Sequence, residues 1–506
     1  MRIFATQPGL LLNPLKRLAS QTLIYGIPSI AGRFLNYLLT YLYTRVFTTG
    51  EFGINSEFYA YSGFFTVLLT FGMETGFFRF RQQASDPEKV FSTALRFLLT
   101  GAGVFLALVY LFAHPIAAAL HYEDNMVYIY WFGWILALDT AGALPFARLR
   151  AENKALQFAG IKLAEIFINI GFNIFFLVVC RHAYLHHSHS WFASLYNPQI
   201  GVGYVFISNL IASAVKVIFL LPVFRGVLHK ADLQLLRDML RYSLPMVIIG
   251  FAGIINEMLD RVLLRHLLPY DPATNLHHLG VYGACYKLSI IMSLFIQAFR
   301  FAAEPFFFAQ STQENARRLY ADVLKYFTIF CMLVFLGTML YLDYVQLFIG
   351  SRFREGLRVV PVLLLANMFL GIYVNLSVWY KLTDRTLTGA WVAVAGAVIT
   401  IVLNILFIPS HGYMASAWAT FACYGFMVVV SYLLGQRYYP VNYEVTKILL
   451  YILSGIGIWL IFEKIRNAGP VGAIATVLML LYTLIVFMAE RKNFRIVSGG
   501  NTQPGK

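Results

Sequence analysis

In the stretch INEMLDRVLLR (255–265) two acids and two arginines interrupt an otherwise apolar run. At about 100° per residue, Glu257, Arg261 and Arg265 rise along one stripe of a helix, with Asp260 about 60° to the side of Glu257. The stretch FIQAFRFAAEPFFF (295–308) repeats the arrangement: Gln297, Arg300 and Glu304 fall within about 60° of one another, and Arg300 and Glu304 stand at i, i+4. Lys287 lies earlier in the same run. Arg33 and Asn36 sit in YGIPSIAGRFLNYLLTYLYTR (25–45), and Glu74 and Arg79 in FGMETGFFRF (71–80). Cations of this kind suit a phosphate or an anionic sugar. The acids beside them could hold the cations in place when a site is empty, or titrate.

The elements that must position these residues are membrane helices. The chain has 506 residues, 59% hydrophobic and 12% charged, whereas an average soluble domain carries about 25% charged residues. Apolar runs of about 20 residues, each long enough to cross a hydrocarbon core of roughly 30 Å as a helix, fill almost the whole length. Fourteen spans are expected, near 17–45, 55–80, 91–113, 127–148, 155–180, 201–224, 241–264, 280–308, 325–349, 357–381, 388–408, 412–435, 447–463 and 470–489. The first has the character of an uncleaved helix, because no small-residue cleavage site follows it. An ionised side chain near the centre of a bilayer costs about 2.5–3.5 kcal/mol. The charges above are therefore expected to face a bundle interior or a wet cavity, or to form structural pairs, Glu257 with Arg261 and Arg300 with Glu304. Arg45, Arg79 and Arg265 can alternatively snorkel to the interface.

The net charge of +15 is mostly topology. With the N-terminus cytoplasmic, the segments on its side hold 24 Lys and Arg, and the opposite side holds 7. This positive-inside asymmetry places both termini in the cytoplasm and argues against nucleic-acid binding. Cys180, Cys285, Cys331 and Cys423 have no paired spacing and are expected as core residues. The outer loop RHAYLHHSHSW (181–191) holds His182, His186, His187 and His189, but no second cluster supplies further ligands, so no metal site is expected.

The chain repeats itself. LRAENKALQ (149–157), followed by FNIFF (172–176), answers YKLTDRTLT (380–388), followed by LNILF (403–407). Arg150 with Lys381, Lys154 with Arg385 and Asn173 with Asn404 share one offset of 231. Glu74 matches Glu304 at an offset of 230. YGIP (25–28) answers YSLP (242–245), and FGI (52–54) answers LGV (279–281), at offsets of 217 and 227, which makes the outer loop near 269–278 an insertion. Two six-span units of even span number are parallel repeats about an axis along the membrane normal, with a substrate site expected at their interface. The expected division is an N-terminal lobe over 1–225, a second lobe over 226–436, and an additional helix pair with a tail over 437–506. Asp139, Lys162, Glu165 and Lys216 sit nearer span ends or lack repeat partners, and are secondary candidates.

This layout of twelve spans in two lobes plus two more, with the stretches 25–45, 71–80, 255–264 and 299–308, resembles the multidrug, oligosaccharidyl-lipid and polysaccharide exporter superfamily. Within it, the chain is most similar to bacterial flippases for lipid-linked oligosaccharides of O-antigen, capsule or exopolysaccharide assembly. The resemblance implies an all-α polytopic protein of the bacterial inner membrane whose lobes rock around a central cationic cavity. It implies transport of an undecaprenyl-pyrophosphate-linked oligosaccharide without catalysis and without a cofactor, coupled to protons or sodium. The partners it implies are the lipid-linked sugar, membrane lipids, and the polymerase and glycosyltransferases of the pathway. A lipid II flippase, a multidrug or cation antiporter and an integral-membrane polymerase or ligase are the alternatives. The antiporter usually lacks the last two spans, and the polymerase would carry a large outer loop.

Overall fold

The computed structural model describes residues 32–187, 190–224, 232–311, 313, 315–467 and 470–498, without the side chains of 301, 302, 304, 305, 309 and 492–498. The described residues are almost wholly helical and contain no strand. Among the described residues eleven helices are long and apolar enough to cross a membrane, the chain being a polytopic membrane protein. The other three expected spans are helical as well: residues 32–46, Thr49–Thr70 continued by Met73–Gln83, and Leu233–Leu267. All fourteen expected spans thus coincide with helix. The start of the first, with YGIP (25–28), lies outside the described residues.

Local chemistry explains the ends. Thr48 and Glu51 close a capping box in front of Thr49. Asp86 accepts from the backbone N–H of Glu88 and Lys89 in front of Pro87–Leu111, and Asp232 does the same for Leu235. The second span is not one rod, because Phe71 and Gly72 both take left-handed conformations (φ 48° and 63°) and divide it. The segment expected as an inserted loop, 269–278, is largely helix. Pro272 opens a 39-residue helix to Gln310, and the Asp271 carboxylate accepts from the N–H and hydroxyl of Thr274. The loop after the fifth span contains the short turns Trp191–Ser194 and Pro198–Ile200.

The matched turns of the repeat have one local geometry. Asn153 and Asp384, 231 residues apart, have φ of 56° and 55°. The N–H of the following residue bonds to a carbonyl five residues back in both, Lys154 to Leu149 at 2.9 Å and Arg385 to Tyr380 at 2.7 Å. Asn173 and Asn404 are both fully buried, and each donates to the carbonyl four residues earlier at 2.8 Å. A pattern found in polar residues is therefore also a pattern in the backbone.

Two compact units make up the chain. The first comprises residues 1–287, 349–356 and 393–419, and the second 288–348, 357–392 and 420–506. In the first, Val127–Ala151 packs against Pro87–Leu111 and Gly203–Leu220, while Leu233–Leu267 packs along the broken second span. A core of Met73, Phe77, Phe91, Leu95, Leu98 and Leu144 fills its interior near that break. Gly53 and Gly280, matched in the repeat, allow Thr49–Thr70 and Pro272–Gln310 to touch backbone to backbone; a Cβ on Gly280 would stand 1.8 Å from the Thr49 carbonyl oxygen. In the second unit Ala316–Leu340 is the hub, against which Val360–Leu376, Val445–Ile465 and Val471–Ser498 pack.

Candidate functional site

Five of the expected charges meet in the first unit. The Arg261 guanidinium lies 3.2 Å from the Asp260 carboxylate, donates to the Glu257 carbonyl at 2.6 Å, and covers the Tyr286 ring at 4.2 Å. Asp260 also accepts from the Tyr282 hydroxyl. The Lys287 ammonium stands 5.0 Å from the Tyr59 ring centroid. Glu257, Arg33 and Arg261 lie near Tyr59, and Arg261 and Glu257 lie near Lys287. Asp260 and Arg261 are buried, whereas Arg33 and Glu257 are exposed. Three cations, two acids and three tyrosines thus form one cluster.

The expected side-chain pair between Glu257 and Arg261 is corrected. Arg261 takes the adjacent carboxylate of Asp260 and only the backbone of Glu257, because the neighbouring acid already accepts from Tyr282 and is fixed beneath it. Arg265 does not snorkel. It is 3% exposed and lies 3.4 Å from the Glu57 carboxylate, itself fully buried and accepting from Tyr122 at 2.7 Å and Tyr61 at 3.1 Å. This is a structural pair between Leu233–Leu267 and Thr49–Thr70. Arg79 is exposed over the Tyr242 ring at 4.2 Å, and Arg45 is exposed over Tyr41 at 3.5 Å.

Glu74, part-exposed, forms an ion pair with Arg150. Both members recur in the repeat, as Glu304 and Lys381, but the side chain of Glu304 lies outside the described residues. Gln297 and Arg300 belong to the second unit, the former half-buried and the latter exposed. Arg300 is close enough for its charge to act on Tyr373 in the same unit.

Arg33 and Asn36 also line a cavity of about 350 Å³ in the first unit, together with Asp139, Lys162 and Glu165 of the secondary candidates and with Asn169, Asn209 and Ser213. Lys216 reaches Asp139 and, at 2.9 Å, Glu165, while Lys162 reaches Glu165 at 2.7 Å. The Lys216 side chain comes from Gly203–Leu220, Asp139 from Val127–Ala151, and Lys162 and Glu165 from Ala155–Ile174. A chain of amides leaves the cavity: Asn169 donates to Asn36 at 3.4 Å, Asn173 to Asn169 at 3.0 Å, and Tyr43 to Asn173 at 2.8 Å. The missed signal was complementary charge on three consecutive spans. Requiring a repeat partner hid it, since a site confined to one half of the chain has none.

A polar cavity of this size has room for water beside its charges. The cluster of Arg261, Lys287 and Arg33 offers guanidinium forks and aromatic faces, suited to phosphate and sugar. His182 and His186 stack at 4.1 Å, and His189 lies outside the described residues. Elsewhere His277, His278 and Glu355 bring one ligand atom each within 4.8 Å of one another, a grouping the sequence reading did not anticipate.

Comparison with known proteins places this geometry in a family. Residues 18–311, more than half of the chain, match the family described as polysaccharide biosynthesis protein. No curated protein matches significantly. Among solved structures, a lipid II flippase, MurJ, in an inward closed conformation is similar at TM-score 0.70 and 14% identity, covering 92% of this chain and 99% of that one. An inward-facing multidrug resistance transporter of the MATE family is similar at TM-score 0.64 and 13% identity, covering 80% and 94%. The MATE multidrug transporter DinF-BH gives TM-score 0.57 and 16% identity over 83% and 95%. The identities are low, and what these likenesses carry is the fold. The chain belongs to the polysaccharide biosynthesis protein family and has the all-helical fold found in MurJ and the MATE transporters.

Proposed function

We propose that the protein is a flippase that moves an undecaprenyl-pyrophosphate-linked oligosaccharide from the cytoplasmic to the outer leaflet of the bacterial inner membrane, by alternating access of two repeat lobes, for polysaccharide export. The observation that carries this reading is the cluster of Arg33, Arg261 and Lys287 around Tyr59 and Tyr286. Guanidinium and ammonium groups at membrane depth are costly without an anion to meet them, and tyrosine faces beside them suit sugar rings. Family membership supports polysaccharide as the cargo class. Both termini are cytoplasmic in this reading, from the distribution of Lys and Arg. The carboxylates of the Arg33 cavity, Asp139 and Glu165, are the groups we assign to proton or sodium coupling. Glycosyltransferases and a polymerase of the same pathway supply and consume the cargo.

A second reading is favoured by one observation. A lipid II flippase is similar over 92% of this chain and 99% of its own, so lipid II itself is the competing cargo. Reconstitution in liposomes with each lipid-linked sugar separates the two. Translocation of a lipid-linked O-antigen or capsule unit, and not of lipid II, supports the first reading; the reverse preference overturns it.

A further inference from the structure

Four arginines from three separate segments surround a pocket of about 450 Å³ at one end of the first unit: Arg45 at the end of the 32–46 helix, Arg181 after the fifth span, and Arg352 and Arg354 in the segment 349–356. We propose that this pocket binds the phosphate of a lipid headgroup, either the pyrophosphate of the translocated cargo or an anionic phospholipid. Like charges gathered this closely repel unless an anion joins them. No carboxylate pairs with Arg181, Arg352 or Arg354 among the described residues. The two nearest acids in sequence are engaged elsewhere. Glu355 is taken by His277 at 2.8 Å, and Glu51 by the backbone N–H and hydroxyl of Thr48, both at 2.9 Å. The Arg354 Nε is buried without a hydrogen-bond partner.

The pocket is built and does not depend on floppy side chains meeting by chance. A Cβ on Gly350 would stand 2.1 Å from the Thr44 carbonyl oxygen, and the Gly350 N–H donates to the Thr44 hydroxyl at 3.1 Å. Between the two arginines Phe353 is fully buried, its ring against Phe52 at 5.4 Å and its carbonyl accepting from the Cys285 thiol at 3.2 Å. These contacts fasten the backbone that carries Arg352 and Arg354 onto the helix that carries Arg45 and onto Thr49–Thr70 and Pro272–Gln310. Guanidinium forks on fixed backbone give bidentate phosphate recognition. In the topology proposed above this is the outer end, where a flipped headgroup arrives. That placement rests on the proposed orientation, while binding does not.

The test uses the full chain in phosphatidylcholine nanodiscs, titrated with farnesyl pyrophosphate by calorimetry. Saturable binding is expected, weakened at least tenfold by Arg352→Gln with Arg354→Gln and retained by the paired Lys replacements. The comparison is made in an Arg33→Gln, Arg261→Gln background, which removes the second pyrophosphate site assigned to transport. Unchanged binding in the paired Gln variant overturns the proposal. Native mass spectrometry from discs containing phosphatidylglycerol separates the sources: adducts lost in the Gln variant identify a resident lipid, and binding restricted to the pyrophosphate identifies the cargo. Labelling of Ser351→Cys by an impermeant thiol reagent reports the side. Labelling from the cytoplasm refutes the orientation and leaves the pocket standing.

Discussion

Lys216 in the first unit and Lys325 in the second are both sealed from solvent, at 5% and 0% exposure, and each is held by carboxylates from neighbouring helices. Lys325 reaches Asp322 at 3.3 Å, Glu444 at 2.8 Å and Glu490 at 3.2 Å, and Glu490 is itself fully buried and accepts from Tyr451 at 2.7 Å. It joins Ala316–Leu340 to the last two spans and leaves no charge facing a cavity on the Glu490 side. Lys216 instead meets Asp139, whose side chain is 42% exposed, and Glu165 on the wall of the Arg33 cavity. The same ion-pair chemistry is a clamp where one of the acids is sealed, as Glu490 is, and lines a cavity where none is. Burial of the partner, and not of the lysine, tells the two apart.

The comparison breaks most visibly at the clamp. Lys325→Met leaves Glu490 buried and unpaired, so a loss of about 3–5 kcal/mol is expected. Thermal unfolding in detergent should show it, with partial recovery when Glu490→Leu is added. Lys216→Met should behave oppositely: water in the cavity can hydrate Asp139 and Glu165, the stability loss should stay near 1–2 kcal/mol, and transport should fall at least tenfold at normal protein level. Equal destabilisation by the two changes would erase the contrast.

Acid sharpens it further. Hydrogen bonds from Lys325 and Lys447 hold the Glu444 carboxyl below its ordinary value of 4.5. A depressed folded-state value means that the contribution is present above pH 4.5 and lost as pH falls through the lower folded value. Cysteine cross-linking between 444 and 325 neighbours, or hydrogen exchange over 445–465, should therefore show the last spans loosening only below about pH 4.5. The smallest effect is expected at the half-exposed pair of Glu74 and Arg150. Glu74→Gln should cost about 0.5–1 kcal/mol, and a pH dependence of transport unchanged by it would identify the pair as a brace.

The helices were legible because a membrane demands long apolar runs; eleven of the described helices meet that demand, and the first, second and seventh expected spans are helical without meeting it among the described residues. Breaks were not, since Phe71 and Gly72 turn left-handed for reasons of packing. Arg33, Arg261, Lys287, Glu257 and Asp260 were singled out as charges within apolar runs, and the structure brings them near one another. Their pairing was not legible, because helical periodicity favours Glu257, on the Arg261 stripe, whereas the Tyr282 hydroxyl fixes Asp260 beside Arg261 instead. Arg265 had the same spacing as Arg261 and a different fate, fixed by Glu57 some 200 residues away. Asp139, Glu165 and Lys216 carried their signal across three spans, where no local pattern records it.

The central claim is tested most directly by translocation of a fluorescent undecaprenyl-pyrophosphate-linked oligosaccharide in liposomes containing the purified chain. The expected result is flipping that falls at least tenfold in Arg33→Gln with Arg261→Gln, at unchanged folded yield. Flipping at the wild-type rate in that variant, or none by the wild type with any lipid-linked sugar, would contradict it.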